Sequence, residues 1–474
     1  MENSMTREAI GHEKQPAVIT GLLYLLVFTM PIGLTGIGLV PMTSSLGNIS
    51  VSDFFLPVAL LALLFFSFSY GKRTATKNGR VMNRFVFLAG LFLLIPILSL
   101  WNVIRYDGSL VTALFAVFKM AICVLYAFVF CYYLSKCNGR EWKNFVIAST
   151  LAGVVFALSC FVGVALYYRG ISNPFLESWK NAAVFRATGF QEDPNLAGIY
   201  LLLSIGYGLT WYRFARKKWK PVLSILVLVG GAFITASKAV MLTLALTFAA
   251  FVVLMLLTGR IKGALTVLGL SAVMLAVLLI VNHYTSILNT LIFRLTAAAD
   301  GDITSALTGR DQIWTAAFTI IFANPLNFLV GVGPGMFGNA TSYYQLTELT
   351  HGYNYVHNTL ISFFVEFGIL YAVGVLVLLL VGLIYLLRRL IREKENYALD
   401  FLWGYIAILI FMNSVTYQYN RMAYVFIVFT MVSLYRMKCG ELKDPIPTVP
   451  CNRNANEQKR FAERRALGKG MTDR

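Results

Sequence analysis

The sequence predicts an all-α protein, a polytopic membrane bundle of about twelve transmembrane helices, and three observations carry that reading. Of 474 residues, 58% are hydrophobic and only 13% are charged, and the mean hydropathy is +0.69. No single soluble core hides that much apolar surface, so lipid must be the solvent for most of it. The apolar runs are long, uninterrupted and separated by short basic connectors. Period-two alternation, the signature of a closed β-barrel, is absent.

The elements follow in order. The first run, 18–40, is too long for a signal-peptide core and lacks a small-residue cleavage site, so it reads as a retained span. Further spans are predicted at 53–70, 83–101, 111–134, 145–168 and 195–212. The stretch 221–257 is too long for one crossing, and Thr235-Ala236-Ser237-Lys238 is its only polar interruption. It therefore splits into a tight helical hairpin of 221–236 and 238–257. A ninth span at 264–282 precedes a long connector, 283–356, and spans at 357–387, 401–415 and 422–437 complete the set. Within the connector, Ile313, Trp314, Ala317, Phe318 and Ile321 recur at helical spacing, which predicts a helix over 308–322 lying on the membrane or on top of the bundle.

The formal charge of +18 raises nucleic acid as a partner, but the positions of the cations exclude it. With residues 1–17 inside, the connectors holding Lys72 to Arg84, Lys136 to Lys143, Arg213 to Lys220, Arg260 with Lys262, and Arg388 to Lys394 share the cytoplasmic side with the basic tail. Opposite lie only Arg105, Arg169, Lys180, Arg186, Lys238, Arg294, Arg310 and Arg421. This positive-inside asymmetry orients the chain and brings the basic face to anionic membrane lipids. Residues 438–474, rich in Pro and charge, read as a disordered cytoplasmic tail. The six cysteines (Cys123, Cys131, Cys137, Cys160, Cys439 and Cys451) fall in spans or on the cytoplasmic side, so neither a disulfide framework nor a zinc site follows.

Two outer segments, 169–194 and 283–356, are long enough to carry function. In the first, Asp193 before Pro194 makes a helix start and an N-cap, with Arg186 and Asn195 beside it. Lys238 tips the hairpin, where a snorkelling headgroup contact is its simplest role. Arg310 precedes Trp314 by one turn, a spacing that lets guanidinium and indole meet. Gly331-Val332-Gly333-Pro334-Gly335 has no preceding strand, which excludes a dinucleotide fold. It reads as a tight loop, or as a turn whose N–H groups approach an anion. Asp300-Gly301-Asp302 resembles a metal-holding carboxylate pair, but on the outer side it reads as a solvated loop. His357 opens the tenth span. On a straight helix Glu366 would point about 180° away and about 13 Å deeper, which argues against a direct pair; Glu366 instead reads as an interhelical hydrogen-bonding or protonated carboxyl. Lys119, in mid-span, must face the bundle interior.

Taken together, these segments resemble the bacterial O-antigen ligase and polysaccharide polymerase superfamily of lipid-linked glycosyltransferases. The resemblance is carried by Arg186 with Gly189-Phe190 and Asp193-Pro194-Asn195-Leu196-Ala197; Ser237-Lys238; Gly309-Arg310 with Trp314; the glycine loop with Phe337; and His357-Asn358 with Glu366-Phe367-Gly368. It extends from Arg186 to Leu387. It implies an inverting, metal-independent and cofactor-free transfer of glycan from an undecaprenyl diphosphate carrier to a glycan or lipid acceptor. The transfer would occur on the outer face of the bacterial cytoplasmic membrane, among other polysaccharide-assembly proteins. Arg186 and Arg310 match cations placed on the diphosphate, and His357 matches the base or acceptor-positioning residue. The family has Arg after the hairpin serine. Lys238 keeps that charge but loses the bidentate fork.

Arg421, Asp193, Asn195 and Glu366 form a supporting set. The absence of an added soluble acceptor domain favours a polymerase over a surface-glycan ligase. A secondary transporter or lipid-linked sugar flippase would instead show repeated halves and helices broken near mid-membrane, neither of which the sequence displays. The enzymatic reading requires Arg186, Arg310 and His357 to meet at one positively charged hollow.

Overall fold

The computed structural model describes residues 16–34, 37, 49–70, 78–178, 185–285, 310–350, 353–416, 418–440 and 442. Nine helices come first: α1 Ala17–Thr29, α2 Ser52–Tyr70, α3 Asn78–Leu98, α4 Leu110–Lys136, α5 Gly139–Tyr168, α6 Pro194–Phe214, α7 Trp219–Ile234, α8 Lys238–Leu257 and α9 Ile261–Thr285. Four shorter ones follow, α10 Arg310–Phe322, α11 Pro325–Val330, α12 Phe337–Tyr343 and α13 Thr347–Thr350. Three more end the bundle: α14 Thr359–Ile391, α15 Asn396–Phe411 and α16 Arg421–Lys438. Each expected span coincides with one of α1–α9 or α14–α16. Five stretches, Phe85–Tyr106, Leu110–Lys136, Gly139–Tyr168, Lys238–Leu257 and Thr359–Ile391, are long and apolar enough to cross a membrane by length and composition. The fold is an all-α membrane bundle.

Local chemistry sets the boundaries. Asn138 and Glu141 form a reciprocal capping box at the start of α5, satisfying N–H groups that would otherwise lack partners. Asp193, Ser237 and Asn420 cap α6, α8 and α16 with side-chain oxygens. One boundary departs from expectation. The first helix stops at Thr29 rather than running on to residue 40, because Pro31 cannot donate to a continuing ladder and the chain turns at once. Gly33 then pairs with Ser50, and its N–H donates to the Phe190 carbonyl.

Helix α6 is the hub, buried along nearly its whole length and packed against α5, α7, α8 and α15. A bidentate ion pair joins Arg213 to Asp400 on α15 at 2.6 and 2.7 Å, and the Trp403 indole donates to the Leu202 carbonyl. Trp142, Phe145, Tyr207, Phe426 and Phe429 interlock between α5, α6 and α16, adding specific ring geometry to plain area burial. The outward faces are apolar too: Phe87 is 67% exposed and Leu370 69%. In water such a surface would aggregate; facing lipid it is at its solvent.

In the outer segment 169–194, Leu176–Ser178 (β1) and Phe185–Ala187 (β2) form a two-stranded antiparallel ribbon. The expected helix over 308–322 is seen from Arg310; Thr308 and Gly309, Asp300 to Asp302, Cys451 and the basic tail from 443 onward lie outside the described residues. Cys123, Cys131, Cys137, Cys160 and Cys439 are free thiols.

Candidate functional site

The ribbon places Arg186 opposite Glu177, and its Nη1 donates to Glu177 Oε2 at 2.7 Å. Arg186 therefore arrives already paired, while its buried Nε has no hydrogen-bond partner among the described residues. Beyond the ribbon the chain reaches Asp193, whose Oδ1 accepts from the N–H groups of Asn195 and Leu196 at 2.6 and 3.2 Å. The N-cap reading of Asp193 is thus correct. Asn195 Oδ1 accepts from Ser237 Oγ at 2.5 Å, tying the start of α6 to the α7–α8 turn. That turn holds Ala236 at φ 47, a left-handed conformation that a residue with a Cβ adopts only when its surroundings enforce it. Lys238 is the first residue of α8 and is half-buried.

Arg310 opens α10. Trp314, one turn on, donates its indole N–H to the Val356 carbonyl at 3.1 Å, so the ring fastens α10 to the loop before His357 rather than serving mainly as a partner for Arg310. His357 has φ 54, and its ring meets Tyr353 edge-on at 5.4 Å. Asn358 caps α14 through Ile361 N–H, and Thr359 N–H donates to the Met412 carbonyl at 2.8 Å. Burial and the nearby Arg310 charge hold the His357 imidazole below the usual histidine range, with Asp193 opposing. Burial also lowers Arg310, with Asp193 opposing and Arg186 adding to the shift. Arg310 therefore lies within electrostatic reach of Arg186, Asp193 and His357, and Asp193 within reach of His357.

The tenth span is not a straight helix. Gly368 sits at φ 81 and ψ 176, interrupting α14, and His357 lies ahead of the helix in a left-handed turn. Glu366 lies in the helical stretch before Gly368 whereas His357 precedes the helix, and both residues line one cavity. The glycine loop seats against the interruption. Val332 and Gly333 donate N–H to the carbonyls of Val365 and Glu366 at 2.8 and 3.0 Å, and Gly335 N–H donates to Glu366 Oε2 at 3.0 Å. Its N–H groups are thus engaged by the protein itself, and the anion they approach is Glu366. Gly331 has φ 76, and a Cβ there would strike the Glu366 backbone. The buried Glu366 carboxyl also accepts from Ser362 on its own helix and from Gln418 in the α15–α16 connection, so its partners are not on a neighbouring helix.

The shared cavity encloses about 580 Å³ and is lined by Asp193, Asn195, Lys119, His357, Glu366 and Arg421 among others. The Lys119 ammonium lies 4.8 Å from the Tyr419 ring centre and 5.3 Å from that of Phe115, facing inward as its mid-span position required. Arg421 grips Asp53 through two hydrogen bonds, Nε to Oδ1 at 2.7 Å and Nη2 to Oδ2. Tyr126 and the Ser50 N–H add further donors to Asp53. The hollow is not uniformly positive, contrary to expectation: Glu177, Glu192, Asp193 and Glu366 share its wall with Lys119 and Arg421. Glu177 is offset by Arg186, while Arg310 stands beside the wall, with no ion-paired carboxylate among the described residues. Among the described residues, no group of three or more His, Cys, Asp or Glu is placed to hold a metal ion.

Residues 222–376 match the family model described as O-antigen ligase. This stretch is similar to O-antigen ligases. The match covers about a third of the chain, and the apolar helices mark a multi-pass membrane protein. No curated protein matches the chain. The matched stretch contains Lys238, Arg310, the glycine loop, His357 and Glu366, whereas Arg186, Asp193, Asn195, Lys119 and Arg421 come from outside it and meet it at the cavity or its edge.

Sequence reasoning missed Asp53, Glu177 and Gln418. Asp53 had one legible signal, an acidic residue at the very start of a span beside Ser52, a place where helix capping and an outer cation both want a carboxylate. Glu177 and Gln418 had none, since their partners lie 9 and 52 residues away through turns that no pattern announces.

Proposed function

We propose that this protein is a polysaccharide polymerase that transfers glycan repeat units from an undecaprenyl diphosphate carrier to an acceptor hydroxyl on the outer face of the bacterial cytoplasmic membrane. The observation that supports the reading is a cavity lined by His357 and Asp193, with Arg310 beside them and within electrostatic reach of both and of Arg186, next to the stretch similar to O-antigen ligases. The domain limits follow the same reading: 1–17 inside, 18–282 and 357–437 in the membrane, 283–356 outside and 438–474 inside. The outward orientation is supported by the described basic connectors around 136–143, 213–220 and 388–394, which lie at the helix ends away from the cavity-lining residues.

In the proposed reaction the acceptor oxygen forms a bond to the anomeric carbon as the bond from that carbon to the diphosphate oxygen breaks, with inversion. Negative charge grows on the departing diphosphate. Diphosphate is already a competent leaving group, so fixed cations in a poorly hydrated site supply the main stabilisation, and no metal is required by this scheme. Arg310 is the principal cation. Arg186 contributes through the donors Glu177 leaves free, and Lys238 through its charge. His357, kept neutral by burial and by Arg310, takes the acceptor proton. Asp193 and Asn195 fix the start of α6 and the hairpin turn around the donor.

His357→Ala and Arg310→Ala should each abolish chain extension while the protein still inserts and accumulates. The assay is polymer formation by purified protein in liposomes supplied with lipid-linked repeat units. Full-length polymer from either variant overturns the assignment, and transbilayer movement of the donor without polymer points to transport. In a deletion strain, single repeat units on a normal anchor indicate polymerisation, whereas long chains stranded on the carrier indicate ligation.

A further inference from the structure

The second cavity lies at the opposite end of the bundle. It is bounded by the beginning of α5 and the end of α6, encloses about 400 Å³ and is lined by Arg140, Lys143, Asn144, Ile147, Trp211 and Arg216 among others. Helix α6 runs 21 residues from its Asp193 cap to this end, so at 1.5 Å per residue the two cavities stand about 30 Å apart. Three cations converge here, and none forms an ion pair among the described residues. The nearby Arg213 does have its carboxylate, Asp400, so the pocket cations are those left over once the interhelical charges are matched. Lys143 packs over the Phe214 ring, and the buried Trp211 indole forms an apolar wall.

A continuous stripe leads out of this pocket. Arg140, Asn144, Ile147, Leu151, Val155 and Leu158 recur along α5 at intervals of three and four residues, which places them on one helix face. The first two are exposed polar groups, Ile147 is in the pocket wall, and Leu151, Val155 and Leu158 are exposed. The surface thus passes within one helix face from unpaired cations to bare hydrocarbon, the same order in which an anionic phospholipid presents its phosphate and its acyl chain.

We propose that this pocket is a binding site for the headgroup of an anionic phospholipid, with Arg140, Lys143 and Arg216 on the phosphate and an acyl chain along Leu151, Val155 and Leu158. A free phosphate shares the headgroup chemistry but makes no use of the apolar stripe, which is why the lipid is the occupant favoured.

The test titrates the full-length protein in detergent with dioleoyl phosphatidylglycerol, dioleoyl phosphatidylcholine or inorganic phosphate and reads Tm. Phosphatidylglycerol should raise Tm, and the other two should not. The pair Arg140→Gln and Arg216→Gln should weaken the response by on the order of fivefold per charge removed. Arg388→Gln with Arg392→Gln, at the same end of the chain's topology but outside the pocket, should leave it unchanged. Loss of the response in this control pair to the same extent shows diffuse surface attraction and overturns the site. An equal rise with inorganic phosphate alone, or with phosphatidylcholine, overturns the lipid assignment.

Discussion

Replacing Asp53 by Ala leaves the Arg421 guanidinium, only 11% exposed, without its bidentate partner at the cavity wall. Breaking a buried pair by removing one partner costs about 3–5 kcal/mol, because the remaining charge stays desolvated and uncompensated. Here the upper half of that range applies: Asp53 itself is 8% exposed, and the Tyr126 hydroxyl and Ser50 N–H lose an acceptor at the same time. Arg421→Ala should cost a similar amount. The double alanine variant should lose no more than the worse single one, and Asp53→Leu with Arg421→Met should recover most of the stability, since a hydrophobic pair carries no desolvation penalty. The assay is equilibrium unfolding of purified protein in mixed micelles of rising dodecyl sulfate fraction. Two results refute the reasoning: a loss below about 1 kcal/mol for Asp53→Ala, which is what an exposed pair would give, or a double variant whose loss equals the sum of the singles, which is additivity between independent sites.

Because burial and Arg310 hold His357 below the usual histidine range, its neutral form persists into mild acid; the pH–rate profile of polymer formation should stay flat down to about 6.5 and fall only below it. Asp193→Asn keeps the helix cap but removes the charge that raises His357, so the acid limb should move to still lower pH. Glu366→Gln retains an acceptor for Gly335 and Gln418 and should accumulate normally, whereas Glu366→Leu strips three donors of their partner and should cost at least about 2 kcal/mol in the same unfolding assay. Gly331→Ala and Gly368→Ala each force a Cβ into neighbouring backbone at a positive φ; both should lower the yield of folded protein in membranes severely, as judged by protease resistance.

The membrane class, the all-α architecture and most limits of the long helices were legible because each is a local property. Apolar length, caps such as Asp193 before Pro194, and the polar break at 235–238 act over a few residues and are written consecutively. The first helix was misjudged in length for the complementary reason: hydropathy alone does not register that Pro31 ends the ladder. The candidate site was legible as a set of residue types, Arg186, Arg310 and His357, but not as a geometry.

What the sequence determined alone was therefore the solvent of the fold and the side of the bundle on which the unusual cations gather, since both follow from the order of apolar and charged residues along the chain. What only the tertiary structure decided was which charges remain available. It paired Arg421 with Asp53, Arg186 with Glu177 and Arg213 with Asp400, broke α14 at Gly368 where the glycine loop meets Glu366, and left Arg310 near His357 with no ion-paired carboxylate among the described residues. Ion pairing depends on distances of a few ångströms between side chains that are up to 368 residues apart, and a linear pattern holds no information at that separation until the helices have packed.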